Sequence, residues 1–257
     1  MTGNNEPRLV IQPRDEHLLR ELAAMRIISR EQAKLVAGFG STTRANTRLL
    51  TLYRAGLLQR FFQGTRAGGT RALYALSAKG AKLIGSPYAR LRFSNDELIV
   101  ANFFVAHQLR VNSIYCTLRY RPIPLPGISF TRWVNIAKPV VTRLTPDGYF
   151  ELAAPQGLTG SFVEIDLGYE GSTVWKEKVR SYLRYASSGD FTKQFGQHRF
   201  RVLVVTTSDS RVRLLAKVIE GATDKIFWVT SFEAIDRKSF WSPVWVRPSD
   251  PTPKTLL

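Results

Sequence analysis

Acidic residues are absent between Glu97 and Asp147, and where they return they do so in a pattern that could do chemistry. Asp147 sits between Pro146 and Gly148. A following apolar run ends in Glu164-Ile165-Asp166, and Lys178 lies in the next amphipathic stretch. If two neighbouring strands bring Asp147 beside Glu164, their carboxylates and the Ile165 carbonyl form a hard oxygen site suited to Mg²⁺ or Mn²⁺. A metal held this way lowers the pKa of a bound water and neutralises charge growing on a phosphate. Lys178 would hold the attacking water or the phosphate, and Asp166 would assist. The alternative reading makes Pro-Asp-Gly a turn, Asp166 a cap or an arginine partner, and Lys178 a solvated charge at a helix edge.

Positioning these residues requires a hairpin and a helix. Residues 149–152 and 161–166 read as strands joined by a turn over 153–160. Residues 172–187 read as an amphipathic helix whose inner stripe is Trp175, Val179, Tyr182, Leu183 and Ala186. Lys178 lies beside Tyr182 at one edge of that stripe, and Lys176 lies at the other edge. Residues 200–206, FRVLVVT, form the continuous apolar run expected of a strand buried on both faces. A helix over 209–220, a last strand over 225–231 and a packed tail over 236–245 complete an α/β pattern. Upstream, residues 94–119 read as a buried helix and 128–144 as short strand and turn, with Trp133 in the core.

The first third of the chain has a different character. Residues 14–28 carry apolar positions at helical spacing, and Ser29 with Gln32 forms a capping-box signature for a second short helix. Ser41 caps a third helix that buries Ala45, Leu49, Leu52 and Tyr53. Its opposite face carries Arg44, Thr47, Arg48 and Thr51 and no acid. Two β-rich runs, 58–63 and 71–76, flank a Gly- and Arg-bearing tip, and a closing helix follows over 77–84. Residues 14–85 thus resemble the winged-helix superfamily. In that resemblance Thr43, Arg44, Thr47 and Arg48 face base edges and phosphates, and Arg66 and Arg71 on the wing meet backbone or minor groove. A winged helix used only for protein contact is the alternative.

Composition favours the polyanion reading. The net charge is +17, the pI is near 10.4, and residues 32–95 hold eleven Lys and Arg with no Asp or Glu. Cys116 is the only cysteine, which excludes an internal disulfide and a cysteine-based zinc site. His17, His107 and His198 form no ligand pattern. No apolar run spans a bilayer, and the first residues lack the apolar core of a signal peptide, so the expected location is the cytoplasm, with no membrane partner.

Two further resemblances follow from the motifs. Strand, Pro-Asp, strand, Glu-x-polar and helix resembles the PD-(D/E)XK nuclease superfamily, with one departure: Asp166 stands where the usual lysine would be. The lysine would then come from the following helix, as Lys178. Across nearly its whole length the chain resembles the replication-relaxation family of bacterial plasmids and mobile elements. That likeness rests on His107-Gln-Leu-Arg-Val-Asn112, Pro146-Asp147-Gly148, Phe162-Val-Glu-Ile-Asp166, and Lys178-Val-Arg-Ser-Tyr182 followed by Tyr185. The resemblance implies an α+β and α/β chain: a loose N-terminus (1–13), a winged helix-turn-helix (14–88) and a restriction-endonuclease-like core (94–257). It implies double-stranded DNA as partner and Mg- or Mn-dependent nicking or cleavage. The alternative is a non-catalytic origin or operator binder, whose degenerate nuclease-like domain serves a homodimer or docks a replication or nuclease protein.

Overall fold

A computed structural model describes residues 9–64, 69–89 and 103–256. The chain divides into two compact units, Met1–Cys116 and Thr117–Leu257. The expected boundary lay at 88–94. The observed one falls inside a helix whose first residues are tied to the N-terminal unit, as described next.

In the first unit the order is α1 (Pro13–Met25), β1 (Ile27–Ser29), α2 (Arg30–Val36), α3 (Thr42–Arg54), β2 (Leu58–Gly64), β3 (Thr70–Leu76) and α4 (Ala78–Leu83). The strands form an antiparallel sheet in the order β1-β3-β2. Strand β1 differs from the expected helix over 14–28. Arg26 takes φ 66 and ends the helix, which frees Ile27 and Ile28 to pair with Ala75 and Tyr74. The capping box at Ser29 forms as the spacing requires: Gln32 N–H donates to Ser29 Oγ at 3.2 Å, and Ser29 N–H donates to Gln32 Oε1 at 3.1 Å. Helix α5 (Phe103–Tyr120) begins in this unit. Its Asn112 donates to the carbonyls of Met25 and Ile27, and its Leu109 carbonyl accepts from Gln32 Nε2. The helix is thereby fastened to the turn that starts β1, which gives the His107–Asn112 motif a structural role.

The second unit is a seven-stranded mixed sheet in the order β10-β9-β8-β7-β6-β5-β4. Its elements are β4 (Ser129–Val134), β5 (Gly148–Ala154), β6 (Gly157–Asp166), α6 (Ser172–Ser188), α7 (Asp190–Phe195), β7 (Phe200–Thr206), α8 (Asp209–Glu220), β8 (Phe227–Ser231), α9 (Phe232–Arg237), β9 (Trp245–Arg247) and β10 (Asp250–Lys254). Strands β4, β5 and β6 form an antiparallel meander, and β6, β7 and β8 run parallel. The expected turn over 153–160 shrinks to Pro155 and Gln156, because Ala154 already pairs with Gly157. Residues 157–159 keep the hairpin ladder before the strand enters the core, so burial pattern alone starts the strand too late. The expected last strand is followed by β9 and by β10, whose Pro251 and Pro253 sit at the sheet edge, where a missing N–H is tolerated.

One face of this sheet carries Tyr149, Phe162, Val202, Val204, Phe227 and Val229, packed against Trp175, Val179, Tyr182 and Tyr185 of α6 and Leu215 and Ile219 of α8. Side chains alternate across a strand. Glu164 and Asp166 therefore share the Phe162 face and point under α6. Trp133 is half-buried and stacks on Phe150.

Candidate functional site

The hairpin register sets the first two acids. Gly148 pairs with Val163, and Asp147 N–H donates to the Val163 carbonyl at 3.0 Å, so Asp147 lies across from Glu164. Asp147 Oδ2 accepts from Ile165 N–H at 2.7 Å, which folds its carboxylate onto the end of β6. A side chain at 148 would strike the Trp133 ring: an added Cβ would lie 2.1 Å from Cζ2. Gly148 therefore lets the Trp133 ring lie over the start of β5.

Glu164 is buried, 1% exposed, and both of its oxygens are engaged. Lys178 Nζ donates to Oε2 at 3.0 Å, and the Tyr182 hydroxyl donates to Oε1 at 2.6 Å. These donors are one helical turn apart on α6, so a single helix face closes over the acid. Burial pushes the Glu164 carboxyl up to about 7, with Lys178 opposing the rise and the charge of Asp147 adding to it. Burial alone would lower the Lys178 ammonium, but Glu164 and Glu170 outweigh it and raise its pKa. Tyr182 is also raised, by burial and by Glu164. Lys178 makes a second ion pair with Glu170 Oε2 at 2.8 Å and lies 5.0 Å from the centre of the Trp175 ring. Lys176, the other helix-edge candidate, is exposed.

Asp166 is placed differently. It is buried and held by four donors: Arg211 Nε at 2.7 Å, Arg211 Nη2 at 2.9 Å, Thr206 Oγ1 at 2.7 Å and Trp175 Nε1 at 3.3 Å. Burial would raise its pKa, but Arg211 and Thr206 outweigh that and hold it below the usual carboxylate range. Asp166 thus has the arginine partner that its sequence position allowed, and it lies in a filled pocket. The structure brings Asp147, Glu164 and Lys178 together and puts Asp166 in a separate clamp. Sequence reasoning missed Glu170 and Arg211. Glu170 follows a loop glycine with no periodic pattern, and Arg211 is one of many arginines.

In the first unit, Thr43, Arg44 and Thr47 are exposed on α3. Arg48 is turned inward: its Nε donates to Asp15 Oδ1 at 2.9 Å, its Nη2 pairs with Asp15 Oδ2, and Nη2 also donates to the Val10 carbonyl at 2.7 Å. The acid missing from the face of α3 is supplied by α1, and Asp15 is fully buried beneath it. Arg71 is exposed on β3 and donates through Nε and Nη2 to Gln63 Oε1, its partner across the strand pair. Arg66 lies outside the described residues.

A family model for replication-relaxation matches residues 19–198. The chain belongs to the replication-relaxation family. The match runs from α1 to the segment before β7 and takes in Asp147, Glu164, Asp166 and Lys178, while Arg211 lies beyond it. No curated protein and no solved structure matches the chain. Membership supports a role in the replication or relaxation of plasmids or mobile elements. Among the described residues, no helix of this replication-relaxation protein is long and apolar enough to cross a membrane.

Among the described residues no group of three or more His, Cys, Asp or Glu could hold a metal ion. The protein would therefore supply two carboxylates, Asp147 and Glu164, with the Ile165 carbonyl. That set fits Mg²⁺ or Mn²⁺, which are commonly held through one or two carboxylates, with water and substrate phosphate completing the shell.

Proposed function

We propose that this replication-relaxation protein binds double-stranded DNA through its N-terminal unit and nicks or cleaves it at Asp147, Glu164 and Lys178. The observation that carries the reading is Lys178 Nζ lying 3.0 Å from Glu164, at the strand end that Asp147 also reaches. The usual PD-(D/E)XK pattern draws its lysine from the strand. Here the helix α6 supplies it to the same acid. Asp147 and Glu164 would hold a divalent cation, which when bound lowers the pKa of a coordinated water and neutralises charge on the phosphate. Lys178 would orient water or phosphate, and Tyr182 fixes the Glu164 carboxylate from the other side. Cytoplasmic residence is consistent with that substrate.

The N-terminal unit supports DNA as the partner. Its order α1, β1, α2, α3, β2, β3 with sheet order β1-β3-β2 suits a winged helix with β2–β3 as the wing. Exposed Thr43, Arg44 and Thr47 would face the groove, with Arg71 of β3 on the wing; Arg66 lies outside the described residues. Arg48, half-buried and paired with the buried Asp15, would fix the pose of α3 on α1.

A second reading is favoured by the clamp at Asp166 and by Glu170 on Lys178: a non-catalytic DNA binder whose α/β unit pairs with itself or docks a replication or nuclease protein. One experiment separates the two. Supercoiled plasmid is incubated with Mg²⁺ or Mn²⁺ and wild type, Asp147→Ala or Glu164→Ala protein, with folding checked by tryptophan fluorescence. Nicking by wild type alone supports the enzyme. Equal nicking by all three, or none by any, removes the enzymatic claim and leaves the binding module.

A further inference from the structure

The acid where a lysine would be expected leads to a second acid that sequence reasoning passed over. Asp166 holds Arg211 through two hydrogen bonds, and Arg211 Nη2 reaches on to the Glu170 carbonyl at 2.5 Å. That bond pins the loop between β6 and α6 at the residue whose carboxylate pairs with Lys178. Gly168, in the left-handed region at φ 88, lets the chain turn back after Asp166. Lys178 therefore stands between two carboxylates, one wholly buried and one whose side chain is 36% exposed while its Oε2, the atom facing Lys178, is covered; the Lys178 side chain is 22% exposed.

We infer that Glu170 is a positioning residue whose carboxylate occupies, in the DNA-free protein, the place on Lys178 that a DNA phosphate takes. The inference rests on the reading of Lys178 as a phosphate- or water-binding lysine. Carboxylate and phosphate oxygens accept from an ammonium in the same way, so one displaces the other without disturbing Glu164 beneath. Glu170 thus makes Lys178 available only where a phosphate competes for it. The Asp166–Arg211 clamp is what keeps Glu170 within reach, and this gives the departure at 166 a purpose.

The test is the affinity of wild type, Glu170→Gln, Glu170→Asp and Lys178→Gln protein, and of the Glu170→Gln, Lys178→Gln double variant, for a duplex oligonucleotide in EDTA. A partly exposed ion pair of this kind is modest, so Glu170→Gln is expected to tighten binding by about fivefold. Glu170→Asp keeps the charge but loses the reach, and should tighten binding nearly as much. The gain should vanish in the Lys178→Gln background, where no ammonium is left for the carboxylate or the phosphate to occupy. A gain confined to Glu170→Gln and kept without Lys178 would show bulk charge alone and overturn the inference, as would no gain at all. Nicking of plasmid by the same proteins in Mn²⁺ is scored separately: absence of nicking in every protein would refute the proposed reaction, while the affinity pattern would still stand. Duplex binding by none of them would overturn both.

Discussion

Replacing Asp166 with alanine should unfold the second unit more easily without touching the site chemistry directly. The side chain is fully buried, while Arg211 is 16% exposed and spends two of its donors on it. Removing one partner of a buried pair costs about 3–5 kcal/mol, because the other charge is left uncompensated. Arg211 keeps the Glu170 carbonyl and some water, so the lower end applies, about 3 kcal/mol. The assay is urea unfolding followed by tryptophan fluorescence. All five tryptophans lie at or after Trp133, so the signal reports the second unit alone. Asp166→Leu combined with Arg211→Met should cost clearly less than the sum of the single changes, since the stranded charge is gone. The pH dependence has a definite sign. Asp166 has a folded pKa below its unfolded value of about 3.9, so its stabilisation is complete above that value and is lost as pH falls through the lower folded one. The variant should therefore show a shallower acid limb than wild type. A loss under about 0.5 kcal/mol, a range typical of surface changes, with nicking abolished would refute the clamp and return Asp166 to the catalytic set.

Other outcomes follow from the same geometry. Asp15→Ala should destabilise the N-terminal unit by about 3 kcal/mol, read by circular dichroism, because it strands Arg48. Arg44→Ala should leave stability within about 0.5 kcal/mol and weaken duplex binding, with a smaller salt slope; an unchanged slope would remove α3 from the interface. Gly148→Ala should cost about 1–3 kcal/mol by forcing Trp133 aside, and a neutral result would show that the ring moves freely. Mn²⁺ affinity should rise with pH through about 7, since a proton on Glu164 competes with the metal and leaves as pH increases. Calorimetric titration at pH 6 and pH 8 checks this, and equal affinities would place the metal elsewhere.

Much of this could be read from residue order. The apolar runs at β5, β6 and β7 and the Trp175, Val179 and Tyr182 part of the α6 stripe follow from periodicity, although Ala186 is exposed and Tyr185 is buried instead, so the meeting of Asp147, Glu164 and Lys178 was legible. What could not be read depended on side chains from distant elements. Arg48 looked like a groove-facing cation because Asp15, its partner, lies on α1. Asp166 could be a ligand, a cap or an arginine partner until Arg211 on α8 came to rest on it. Glu170 sits in a loop, where no repeat signals which way a side chain turns. Strand β1 was absorbed into a helix because Ile27 and Ile28 suit either periodicity until Arg26 ends α1.

The most direct test is single-turnover nicking of supercoiled plasmid at saturating protein and Mn²⁺, comparing wild type with Lys178→Met. General acid–base or positioning contributions of this kind are worth about 10²–10⁴-fold. The account predicts a rate at least about a hundredfold lower in Lys178→Met, with plasmid binding retained and the circular dichroism of the folded protein unchanged. An equal rate in the two proteins would contradict it.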